Sequence, residues 1–120
     1  MSYEPKNSNR AIGRWRNSTA FVGGFEIISN IDGKTLACCR IYKTGKSFRA
    51  IAWLRDRTKT FFQRGISAAA GSDCEAIIAA FADANVPIPE TESFYTAALH
   101  VRNVLAEAFD LNPFFVEFGA

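Results

Sequence analysis

Thr35-Leu36-Ala37-Cys38-Cys39-Arg40-Ile41-Tyr42-Lys43 and Ser47-Phe48-Arg49-Ala50-Ile51-Ala52-Trp53-Leu54-Arg55 flank the short glycine-containing link Thr44-Gly45-Lys46. Both runs alternate with a period of two, which is the pattern of a half-buried strand. In the first, Leu36, Cys38, Arg40 and Tyr42 share one face, and Ala37, Cys39, Ile41 and Lys43 share the other. In the second, Phe48, Ala50, Ala52 and Leu54 form an apolar face opposite Arg49, Ile51, Trp53 and Arg55. Two such runs joined by a tight link predict an antiparallel hairpin, with one face covered and the other partly open.

Upstream, Phe21 to Ile31 predicts a further strand with a bend or bulge at Gly23-Gly24. Asp32-Gly33 is a turn signal that would send this strand antiparallel into the next. Downstream, Thr60 to Ile66 predicts a fourth, edge strand, and Ser67 to Gly71 is a small-residue connector. Ser72-Asp73-Cys74-Glu75 is a capping box, followed at helical spacing by Ile77, Ile78 and Phe81. Asn85 suits a left-handed cap, and Pro87 and Pro89 stop the helix.

A second helix is predicted from about Thr91 or Ser93 to Asp110, burying Phe94, Ala98, Val101 and Leu105. The tail Phe114-Phe115-Val116-Glu117-Phe118 is too apolar to stay in water. It should add a strand to the sheet or complete a partner's surface. The expected fold is α+β: an antiparallel sheet of three or four strands with two helices, one of them packed on one sheet face. Residues 1–13 read as a flexible basic arm, and residues 14–120 as a single domain.

A chain of 120 residues is long enough for a core that needs neither disulfides nor a metal. Residues 1–64 carry 13 of the 14 Lys and Arg against four acids, about +9, whereas residues 65–120 carry one base and eight acids, about −7. Such a division predicts two electrically distinct faces, or two halves that neutralise each other across their own interface. Three cysteines, two of them adjacent on opposite strand faces, form no disulfide framework. Together with the lack of a signal-like apolar run, they suggest a cytoplasmic protein with reduced thiols. No stretch is long and apolar enough to span a membrane.

Catalytic chemistry finds little footing. His100 is the single histidine, and Cys38, Cys39 and Cys74 lack metal-ligand spacing, so no metal site and no cofactor are expected. Cys74 lies on the apolar stripe of its helix and reads as a core thiol, not a nucleophile. The helix start at Gly71-Ser72-Asp73 is occupied by its own capping box and is acidic, which disfavours a phosphate. No phosphate-binding or dinucleotide fingerprint is present. The protein is therefore expected not to be an enzyme.

What remains is a basic and aromatic set: Arg14, Trp15, Arg16, Arg49, Trp53, Arg55 and Arg57. Base interleaved with aromatic is how nucleic-acid platforms and protein hot spots are built. Alternatively, Trp15 packs back on its own core. For Trp53 and Ile51 the separate alternative is cover by the arm, the C-terminal tail or a second subunit.

Three meandering strands, a Gly/Ala-rich connector and a capped helix resemble half of a double-stranded-RNA-binding-type fold. The likeness is one of topology, since Ser72–Glu75 is acidic where that family carries its basic contacts. The run Arg40 to Ser47, leading through a strand and a Gly/Ala-rich turn to the Ala-rich helix Ala76–Ala84, is similar to small proteins of phages and mobile elements. That similarity covers about residues 40–88, without the Gly-Tyr-Gly pattern of their turn. It implies a compact, non-enzymatic inhibitor of host defence, of which anti-CRISPR proteins are the best-known kind. The expected partner is a protein or nucleoprotein complex. A direct nucleic-acid binder and a structural homodimer are the alternatives.

Overall fold

The computed structural model describes residues 19–55 and 62–119. The arm over residues 1–13, the candidate contacts Arg14, Trp15, Arg16 and Arg57, and the turn at residues 56–59 lie outside the described residues. Among the described residues five strands and two helices follow in order: β1 (Thr19–Ile28), β2 (Thr35–Thr44), β3 (Ser47–Arg55), β4 (Phe62–Ile66), α1 (Asp73–Asp83), α2 (Phe94–Phe109) and β5 (Phe114–Phe118). The sheet is antiparallel at every pairing, in the order β4-β3-β2-β1-β5.

The α+β expectation holds, but the sheet has five strands and not three or four. The fifth is the apolar tail, which pairs with β1 from Gly24↔Phe118 to Ile28↔Phe114. β1 itself ends at Ile28, three residues short of the predicted Ile31. There the chain closes a turn in which the Ser29 amide donates to the Lys34 carbonyl at 2.9 Å and the Lys34 amide to Asp32 Oδ1 at 3.0 Å. Ile31 is consequently left 74% exposed.

The β2–β3 connection is also tighter than predicted. Thr44 pairs with Ser47, leaving only Gly45-Lys46 between the strands. Gly45 has φ 58°, and a positive φ at the first central position is the type II′ pattern. The predicted bulge appears as a register shift between Phe21 and Gly23. Gly23 has φ 129°, and a Cβ there would lie 2.8 Å from the Phe118 carbonyl oxygen, so β5 can approach only a glycine.

Both described helices lie on one side of the sheet, and the opposite face is helix-free among the described residues. Phe25, Ile27, Ala37, Cys39, Ile41, Ala50, Ala52 and Leu54 meet Ile77, Phe81, Val101 and Leu105 in a single core cluster. Phe25 is the meeting point: its ring stacks on Phe81 of α1 at 6.2 Å and takes Phe94 of α2 edge-on at 5.9 Å. Buried aromatics of this size contribute about 1.5–3 kcal/mol each by removal from water.

The helix signals resolve as capping geometry. Ser72 Oγ accepts from the Glu75 amide at 3.1 Å. The Glu75 carboxylate reaches one residue beyond the capping box, to the Gly71 amide at 2.9 Å. Asn85 does take the left-handed conformation after α1, as Asp110 does after α2. In the connector, Ser67 is buried and its hydroxyl accepts from the Ala50 amide at 2.8 Å, extending the hydrogen-bonded margin of β3.

Candidate interaction face

The face of the sheet turned away from the helices gathers side chains from every central strand. β3 contributes Arg49, Ile51, Trp53 and Arg55. Register sets Tyr42 opposite Arg49, Arg40 opposite Ile51 and Cys38 opposite Trp53. On the other flank, Arg64 stands opposite Trp53 and Ile66 opposite Ile51. Of the predicted contacts within the described residues, Arg49, Trp53 and Arg55 are thus brought onto one face, as expected. Arg40, Tyr42 and Arg64 join them and were not singled out from the sequence.

The omission has a physical cause. Strand pairing has a side-chain period of two, so a one-residue change in loop length exchanges the faces. With Thr44-Gly45-Lys46 all in the link, Tyr42 would sit beside Phe48. With the two-residue turn it sits beside Arg49. The type II′ preference for glycine at the first central position was the available signal.

The face is less open than the alternation predicts. Ile51 is only 1% exposed, although it stands outside the main core cluster. Its nearest positions on this face are Arg40, Ile66, Arg49 and Trp53. Arg40, Tyr42, Arg49, Trp53 and Arg55 are themselves half-buried, and Arg64 is exposed.

Several of these cations are held in place. The Arg40 guanidinium lies 4.6 Å from the centre of the Phe21 ring and 5.7 Å from that of Phe118. Phe21 stacks on Phe118 at 6.1 Å and meets Tyr42 at 5.6 Å. Each such cation–π contact is worth about 0.5–1 kcal/mol at a partly exposed site. Arg55 Nε donates to the Thr35 carbonyl at 3.1 Å. Nearby, the Glu26 carboxylate accepts from the Thr35 hydroxyl at 2.9 Å.

Cys38 lies among these groups. Burial first, and then the Glu26 charge, push its thiol from the usual 9.0 up to about 11, with Arg40 pulling weakly the other way. Cys74, 2% exposed, is likewise raised to about 11, by burial and then by a hydrogen bond to Asp73. Burial also drives Cys39 upward. At neutral pH all three carry their proton, which makes them weak nucleophiles and poor metal ligands. Among the described residues no cluster of His, Cys, Asp and Glu could hold a metal ion, and no helix is long and apolar enough to cross a membrane.

Comparison with known protein families, with curated proteins and with solved structures gave no match to this chain.

Proposed function

We propose that the protein is a non-enzymatic binding protein whose helix-free sheet face docks on an acidic partner. The partner is a protein or nucleoprotein complex, and the role is that of a small inhibitor or modulator of the mobile-element, anti-CRISPR-like kind. One observation carries the reading: Arg40, Arg49, Arg55 and Arg64 share a face with Tyr42 and Trp53 while both helices lie on the other. Planar guanidinium groups beside aromatic rings suit carboxylates, phosphates and base faces.

Direct binding of nucleic acid is the second reading, favoured by the same interleaving of Arg with Trp and Tyr. Salt separates the two, because each phosphate contact releases counterions and lowers affinity steeply as salt rises. Size-exclusion chromatography with light scattering, alone and with a short DNA or RNA duplex, is the first experiment. A duplex complex that survives physiological salt supports direct binding. No complex with either duplex points to a protein target, and purified host-defence complexes are then tested for inhibition. In both cases Arg49→Ala with Trp53→Ala should abolish binding and leave the circular dichroism spectrum unchanged. A folded double variant that binds as well as the parent would refute the assignment, as would one that cannot fold at all, since the pair would then serve the core.

A further inference from the structure

The two edges of the sheet are built differently. At the β4 edge, Gln63 and Arg64 are exposed, and the Ile66 amide donates to the Asp83 carboxylate of α1 at 2.9 Å. A helix side chain thus covers part of that edge. Among the described residues β5 has no such protection. It contains no Pro, Lys or Arg, its single charge is Glu117, and among the described residues no side chain hydrogen-bonds its backbone. Phe114 and Val116 are 49% and 44% exposed. Natural sheets blunt exposed edges with bases, prolines or cover, because a bare apolar edge is a template for another strand.

We propose that β5 is the seam of a symmetric homodimer, in which the β5 strands of two copies pair antiparallel about Val116. A twofold axis perpendicular to the sheet brings together residues of the same face. Centred on Val116, it opposes Phe114 of one copy to Phe118 of the other, Val116 to its equivalent, and Phe115 to Glu117. All five residues of the strand find partners. On the helix-free face the ladder is wholly apolar, and apolar cross-strand pairs are the favourable kind.

Neighbouring registers are worse. Centring on Glu117 opposes two carboxylates. Centring on Phe115 puts Pro113, which has no amide hydrogen, into the ladder opposite Glu117. The strand is therefore self-complementary in one register, which is what an isologous interface requires. Such an axis also leaves both helical layers on one side of the joined sheets. If the basic face binds as proposed above, the dimer presents it twice on the same surface. A five-residue ladder is small beside the roughly 1,200 Å² of a standard interface, so the dimer should dissociate on dilution.

The test uses the full chain in a Cys38→Ser background. Directly opposed residues in antiparallel strands have Cα atoms about 4.5–5.5 Å apart, within disulfide reach, whereas diagonal neighbours lie about 7–8 Å apart. Val116→Cys should therefore cross-link to a covalent dimer under mild oxidation, and Glu117→Cys should not. Light scattering over a dilution series should show a dimer mass giving way to monomer, and monomer throughout for Val116→Lys with an unchanged circular dichroism spectrum. Equal cross-linking of Val116→Cys and Glu117→Cys would overturn the register and the proposal with it. So would a monomer at every concentration, or a Val116→Lys variant that stays dimeric. These readouts do not depend on any ligand, so they fail or succeed separately from the binding function.

Discussion

Cys38 shows how much a single position can carry. On β2 it is one step from Cys39, yet the pleat sends one thiol into the core and the other to the helix-free face beside Glu26 and Trp53. Because burial and Glu26 raise its pKa from 9.0 to about 11, the folded protein holds this proton more tightly than the unfolded chain does. The resulting stabilisation is complete below about pH 9 and is lost as pH rises towards 11, with Cys74 acting in the same sense. The melting temperature should therefore fall across that window, and Cys38→Ser should make the fall shallower. Thermal melts at half-unit pH steps measure it. If the two curves run parallel, the Cys38 proton contributes nothing to folding. Adjacent cysteines and their opposite faces were legible from alternation. The raised pKa was not, because it depends first on burial in the assembled sheet and then on Glu26 arriving from another strand.

At the scale of elements, Gly65 limits how near a helix can come. A Cβ at this β4 position would run into the Ala80 carbonyl oxygen near the end of α1 and lie 2.8 Å from the amide nitrogen of Ala84, its C-cap. Backbone cannot yield as a side-chain tip can, so Gly65→Val should force α1 off the sheet at a cost of about 1–3 kcal/mol or more. Urea unfolding reads this as a lower midpoint at an unchanged slope. A midpoint equal to that of the parent would mean that α1 shifts freely, contrary to its tight packing on β3 and β4. The sequence announced α1 clearly, because Ser72, Glu75, Asn85 and Pro87 mark its ends by local chemistry. It announced the β2–β3 hairpin through strict alternation. It left β5 undecided between a strand and a partner surface, since Phe114–Phe118 is apolar on both faces and its pairing with β1 spans almost the whole chain. In α2 it placed Ala98, Val101 and Leu105 correctly in the core but passed over Ala97, which falls on the same stripe three residues after Phe94 and four before Val101.

At the scale of the whole molecule, most charge among the described residues of the sheet and helices divides across the sheet. The arginines of β2, β3 and β4 stand on the helix-free side. Asp83, Glu90, Glu92, Glu107 and Asp110 are exposed on and around the helices that cover the other side. The described part of this arrangement leans towards two distinct faces, although Lys43 stands beside Phe48 on the helix side. A net charge of +2 then understates how the molecule meets a polyanion, because local potential and not net charge governs the approach. Two substitutions that remove the same unit of net charge should therefore behave differently. Arg64→Gln takes a positive charge from the sheet face, and Ala79→Glu adds a negative one at an exposed position of α1. On a heparin column Arg64→Gln should elute at lower salt and reduce the salt dependence of binding by about one contact, while Ala79→Glu should elute close to the parent. Equal shifts would mean that the column reads net charge alone, and the polarity of the molecule would then play no part in how it binds.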